Sequence, residues 1–272
     1  MSEFNLTPTE TLYYEFVTPK QGMQTYIFVN ALTGNTEMWS GMICKDLQKA
    51  GYGTLCFNFR GQTNTTFSNE TRLTPNLIVK DICALIEYVK PPSPILVGLS
   101  IGGLFAAQAH LAGCQAIGLV LINTLRKPSQ RLDWINRAMV DLARIGGSGL
   151  VMKANFPVIA SPPMIASLWD TTFNDDPPSL PPANDGLFRL MEGSLMTDWD
   201  FSYEQLQIPV LILTGEYDRL FRIDNDIKEL KGRIASVTEK RYSNAGHLIP
   251  LEEPTKLIED LLGFAHCCVK EE

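Results

Sequence analysis

The stretch Pro94-Ile-Leu-Val-Gly98-Leu-Ser100-Ile-Gly102-Gly103 decides how this chain is read. A short apolar run stops at a glycine, passes through a serine and two further glycines, and continues into an alanine-rich helical pattern. That order describes a strand turning abruptly into a helix, with Ser100 at the apex. So sharp a turn leaves no room for side chains two positions to either side, which accounts for Gly98 and Gly102. It also pushes the hydroxyl out of the backbone, while the next residue opens a helix with a free N–H at its positive end. A nucleophile placed there suits acyl-transfer chemistry. A glycine-rich strand–helix turn of a nucleotide-binding fold has the same local pattern, so the rest of the chain must decide.

Around this turn, short apolar runs alternate with helical patterns. Residues 11–18 and 24–30 read as strands joined by a Pro-Lys-Gln-Gly turn, and 53–59 as a third strand after a helix-like stretch at 37–50. A helix is expected over 74–90, with Thr74 as its cap, Pro75 in its first turn, and Ile78, Ile82, Leu85, Ile86 and Val89 on one face. The strand 94–99, the helix 101–112 and the strands 117–123, 208–214 and 236–242 complete the series. Such alternation predicts an α/β fold, a mainly parallel sheet covered by helices on both faces.

The alternation is interrupted between about residues 126 and 207. That segment holds amphipathic pieces such as 129–145, separated by Gly146-Gly147, Pro162-Pro163, Asp176-Pro177-Pro178 and Pro181-Pro182. It is rich in large apolar groups, among them Trp134, Trp169, Phe173, Trp199, Met139, Met152 and Met191. The expected organisation is a core formed by residues 1–125 and 208–272, with 126–207 inserted as a helical lid. Most of these large groups are expected in the lid's own core and a minority over a pocket. Arg126, Arg131, Arg137 and Arg189 are able to meet a carboxylate or phosphate, but are expected on exposed helix faces.

Composition narrows the function further. With 272 residues, 45% hydrophobic and 19% charged, the chain is of ordinary globular make-up, and its net charge of −7 without a dense basic cluster argues against a nucleic-acid surface. No uncharged apolar run approaches the roughly 20 residues of a membrane span. The start Met1-Ser-Glu-Phe-Asn lacks the order of a secretory signal. Six scattered cysteines show no metal-type spacing, and Cys44, Cys56 and Cys83 fall on apolar faces. A cytoplasmic protein with reduced thiols is expected.

A serine hydroxyl needs a base, and only three histidines exist. His110 lies nearly three turns down the helix that starts at Ser100, about 15 Å along its axis. His266 sits in a C-terminal helical pattern. His247, in Ser243-Asn-Ala-Gly-His247-Leu-Ile-Pro, lies in a loop just past the last strand, at the sheet end where parallel folds bind ligands. The base in turn needs a carboxylate to fix its tautomer. The strand 208–214 runs into Thr214-Gly-Glu216-Tyr-Asp218-Arg219, and Asp218 is the choice there; Glu216 is nearer the strand, and Asp224 and Asp226 fall on the following helix.

The chain order serine, acid, histidine is that of the α/β-hydrolase fold. The sequence resembles that superfamily over nearly its whole length: GLSIGG at the elbow, NFRGQ (58–62) in place of an acidic-residue–Arg-Gly turn, PVLILTGEYD and NAGHLIPLEEP. The resemblance implies Ser100 as nucleophile, Asp218 as orienting acid and His247 as general base, with an oxyanion hole from the backbone N–H groups of Leu32 and Ile101. One loop departs from the pattern. Where relatives carry His-Gly, this chain has Asn30-Ala31, and the run Ala31-Leu-Thr-Gly34 resembles homoserine O-acetyltransferases. The expected activity is hydrolysis of an ester, thioester or lactone of a small to medium apolar acyl compound, a small-molecule substrate, without metal or organic cofactor. Acyl transfer to an alcohol or amine, carbon–carbon bond hydrolysis, and ligand reception without turnover are the alternatives. Oligomeric state is not read from these residues.

Overall fold

The computed structural model describes residues 2–172, 180–182 and 184–268. Phe173 and the Asp176-Pro177-Pro178 run lie outside the described residues. Eight strands form one sheet: β1 (Ser2–Thr7), β2 (Glu10–Val17), β3 (Thr25–Val29), β4 (Gly53–Phe57), β5 (Pro94–Leu99), β6 (Gly118–Ile122), β7 (Val210–Gly215) and β8 (Val237–Tyr242), in the order β1-β2-β4-β3-β5-β6-β7-β8. From β4 to β8 all pairings are parallel; β2 pairs antiparallel to both β1 and β4. Thus β2 and β3, consecutive in sequence, are separated by β4.

The central runs TYIFV, GTLCF and GLVLI are buried at every position, as expected of strands covered on both faces. Alternate residues enter opposite cores. Tyr26, Phe28, Ile95, Val97, Val120 and Ile122 pack with Ile43 and Leu47 of α2 (Met42–Lys49) and Leu257 and Leu261 of α10 (Pro254–Cys267). Ile27, Val29, Leu96, Leu119 and Leu121 face the other way, onto Ile78, Ile82 and Leu85 of α3 (Pro75–Val89) and Leu104 and Phe105 of α4 (Ile101–Leu111). Thr74 caps α3 by accepting from the Leu77 N–H. The helix-like stretch at 37–50 is two helices, α1 (Glu37–Ser40) and α2, broken at Gly41, while α8 (Asp224–Lys231) and α9 (Ile249–Glu252) flank the last strand.

Between β6 and β7 the chain leaves the sheet as α5 (Gln130–Ile159), α6 (Pro162–Thr172) and α7 (Gly186–Ser194). Ser129 caps α5, and the helix kinks at Gly146-Gly147, where Gly147 has φ 64°. Val140, Ala143, Val151 and Met191 form a small core of their own. Trp134 and Trp169, expected in that core, are 78% and 58% exposed, so the apolar content of this segment is partly turned outward.

Candidate active site

Four loops leave the carboxyl ends of β5, β6, β7 and β8 and converge on one rim of the sheet. At the first, Ser100 stands between β5 and α4 with φ 59° and ψ −128°, a backbone conformation that costs energy for any residue with a Cβ. The surroundings hold it there. The Ser100 N–H donates to the Ile122 carbonyl at 2.8 Å. A Cβ on Gly98 would lie 2.4 Å from Gly103 Cα, and one on Gly102 would lie 2.2 Å from the Asn30 carbonyl oxygen. Both glycines are therefore needed for close packing, as their spacing around the serine implied.

Asp218 is buried just beyond β7. Its Oδ2 lies 2.6 Å from His247 Nδ1, and its Oδ1 accepts from the Phe221 N–H at 3.0 Å. Burial alone would raise this carboxyl, but His247, the Phe221 N–H and the charge of Arg126 hold it below the usual aspartate range. A carboxylate at Nδ1 selects the tautomer whose Nε2 is an acceptor. His247 and Ser100 line the same cavity, together with Leu32 and Ile101. Among the described residues, however, Ser100 Oγ has no hydrogen bond to the imidazole; it accepts one from Arg126 Nη2 at 2.7 Å. His110 and His266 are tied to carbonyls of Cys114 and Leu262 instead.

The loop after β3 is held by a buried amide network. Asn30 Nδ2 donates to the Phe57 carbonyl at 2.8 Å and to Gln62 Oε1 at 3.0 Å, and its Oδ1 accepts from Trp39 Nε1. Gln62 Nε2 in turn donates to the carbonyls of Ala31 and Leu32, at 2.9 and 3.0 Å. With both carbonyls fixed, the peptide planes of this loop are set. Among the described residues, neither the Leu32 N–H nor the Ile101 N–H has a hydrogen-bond partner. The departure at Asn30-Ala31 thus comes with its own supports, Asn30 and Gln62.

The cavity measures about 100 Å³ and is walled mainly by apolar groups, among them Met139, Val140, Met152 and Met191 from the helices between β6 and β7. Among the described residues no group of three or more His, Cys, Asp or Glu is placed to hold a metal ion, and no helix is long and apolar enough to cross a membrane.

A sequence profile of the alpha/beta hydrolase fold matches residues 26–254. The chain belongs to the α/β-hydrolase family. Among curated proteins, 3-oxoadipate enol-lactonase 2 of Acinetobacter baylyi is 24% identical over 242 residues, covering 84% of this α/β hydrolase and 83% of the relative. Among solved structures, an alpha/beta hydrolase enzyme from a Medee basin deep-sea metagenome library aligns with TM-score 0.80 at 20% identity, over 97% of this chain and 96% of the other. The enol-lactonase from Burkholderia xenovorans aligns with TM-score 0.77 at 19% identity, over 94% and 96%. These structural likenesses speak to the fold.

Two residues at this hydrolase's site were not singled out in the sequence, and a third was expected elsewhere. Asn123, at the end of β6 with φ 48°, donates from Nδ2 to the carbonyls of Gly246 and His247 and accepts from the Gly215 N–H. It therefore ties the histidine loop to the strand that carries Asp218. Glu252 accepts from the N–H groups of Gly246 and Leu248, flanking His247 from the other side. The third is Arg126. Far from an exposed helix face, it is buried between Phe221 and Trp199 and touches the serine. Of the other three arginines considered, Arg131 and Arg189 donate to backbone carbonyls and Arg137 pairs with Asp133.

Proposed function

We propose that this α/β hydrolase cleaves an ester, thioester or lactone of a small acyl compound through an acyl-enzyme on Ser100. The observation that carries the reading is the buried Asp218–His247 bond facing a cavity that also holds the strained serine. Ser100 Oγ attacks the carbonyl carbon while His247 Nε2 takes its proton, and Asp218 stabilises the imidazolium. The unpartnered N–H groups of Leu32 and Ile101 receive the oxyanion, each worth about 10²–10³ in rate. His247 then protonates the leaving oxygen or sulfur, and later takes a proton from the water that frees the acid. Ser100 Oγ accepts from Arg126, so its own proton is left to donate to the imidazole. The segment 126–207 acts as the lid, supplying the apolar wall through α5 and α7. The small cavity and the enol-lactonase relative support a compact substrate. Six free thiols, four of them buried, suit a reducing compartment such as the cytoplasm.

Ser100→Ala tests this. Hydrolysis across a panel of short esters, thioesters and lactones is expected to fall about 10⁴-fold or more, with loss of fluorophosphonate labelling. Retained turnover in that variant overturns the assignment.

A further inference from the structure

Among the described residues, Arg126 is a buried cation without a counter-ion: it is 6% exposed, and its guanidinium bonds go to a hydroxyl and a carbonyl, not to a carboxylate. Its Nη2 donates to Ser100 Oγ at 2.7 Å and to the Asn123 carbonyl at 3.3 Å, while its buried Nε has no partner. The guanidinium lies over the Phe221 ring, 3.9 Å from its centre, with Trp199 at 5.1 Å. Asp218, whose charge acts on it, gives its oxygens to His247 and Phe221. Burial pushes the guanidinium down, to about 10, and it remains cationic at neutral pH. Proteins rarely keep such a charge unpaired in an apolar wall. Because Arg126 lines the cavity, its missing partner is a group that enters with the substrate.

On the hydrolytic reading above, we propose that Arg126 is the receptor for a free carboxylate on the acyl portion of the substrate, which makes the preferred substrates half-esters, or carboxylate-bearing lactones, of short dicarboxylic acids. A guanidinium matches a carboxylate through two parallel N–H···O bonds. The nitrogen that touches the nucleophile sets the reach: with ordinary hydrogen-bond lengths, roughly two or three carbons separate the carboxylate from the reacting carbonyl. The same contact has a second consequence. A carboxylate that takes the guanidinium donors weakens the bond Arg126 makes to Ser100, which frees the oxygen lone pair with which Ser100 attacks. The correct substrate both anchors itself and releases the nucleophile, so the preference falls on kcat as well as KM.

The test compares monomethyl glutarate with methyl pentanoate, which has the same acyl chain length and no charge, in the wild type, Arg126→Met and Arg126→Lys. The wild type is expected to favour the half-ester in kcat/KM by at least about 10-fold; Arg126→Met is expected to lose about 100-fold more on the half-ester than on methyl pentanoate, and Arg126→Lys to keep part of the preference. Fluorophosphonate labelling of each variant shows that it is folded. Hydrolysis of both esters without preference, or equal losses in Arg126→Met, overturns the proposal. Calorimetry separates this from the hydrolytic reading: Ser100→Ala should bind glutarate, and the double variant with Arg126→Met should not. Glutarate binding without turnover of any ester sinks the hydrolytic reading and leaves Arg126 as a carboxylate receptor. Glutarate that fails to bind, or that binds both proteins equally, removes Arg126 from that role.

Discussion

Two arginines of this protein, Arg60 and Arg126, are equally buried at 6% exposure and do opposite things. Arg60, just past β4, sits in a closed ring of charge. Its Nε and Nη2 grip both oxygens of Asp81 at 2.7 and 2.6 Å, and its Nη1 meets Glu10 Oε2 at 2.5 Å. Glu10 is filled on its other oxygen by the Ser68 N–H and the Thr71 hydroxyl. Burial alone would lower this guanidinium, but the bonds to Asp81 and Glu10 carry it above its ordinary value. Its work is to join β2, the turn after β4, and α3. Arg126, just past β6, has two aromatic rings, a serine and a carbonyl instead of carboxylates, and is pushed down. Where the fold supplies the counter-charge, a buried arginine is structural. Where it withholds it beside Ser100, our proposal is that the charge is kept for something that binds.

The strongest way to break this contrast is Asp81→Ala, which leaves Arg60 with Glu10 alone and its buried Nε and Nη2 without their acceptors. Urea unfolding should show a loss of about 3–5 kcal/mol. A smaller effect concerns the carboxylate near Arg126. Because Asp218 is held below its ordinary value of about 3.9, its stabilisation is full above that pH and is lost as pH falls through the lower folded value. The stability margin of the wild type over Asp218→Asn should therefore narrow below about pH 4, measured by unfolding from pH 3 to 7. Arg126→Met should change stability by no more than about 1 kcal/mol in either direction, since it removes an unpaired charge. A loss matching that of Asp81→Ala would show that Arg126, too, is structural. Arg137→Ala, which removes an exposed cation paired to Asp133 on α5, should leave ester preference within about twofold of the wild type.

Much of the fold was legible in local chemistry. The runs around 24–30, 53–59, 94–99, 117–123 and 208–214 are mainly apolar, as strands buried on both faces are. β1 was not read, because its residues are mostly exposed or half-buried at a sheet edge and carry little apolar signal. The placement of β4 between β2 and β3 follows from which faces fit together, which adjacency along the chain does not express.

The candidate site divides along the same line. Ser100, Asp218 and His247 announced themselves through their neighbours: glycines that allow a tight turn, and loops directly after apolar strands. Arg126 had the opposite surroundings, since Leu-Arg-Lys-Pro-Ser-Gln reads as a solvated approach to a helix cap. Its burial comes from Phe221 and Trp199, tens of residues away, and among the described residues no acid pairs with it. Residue type and spacing along the chain were enough for the turn at Ser100 and for the sheet, because each depends on immediate neighbours. Whether a charge is paired depends on every element packed around it, and that came only with the folded chain.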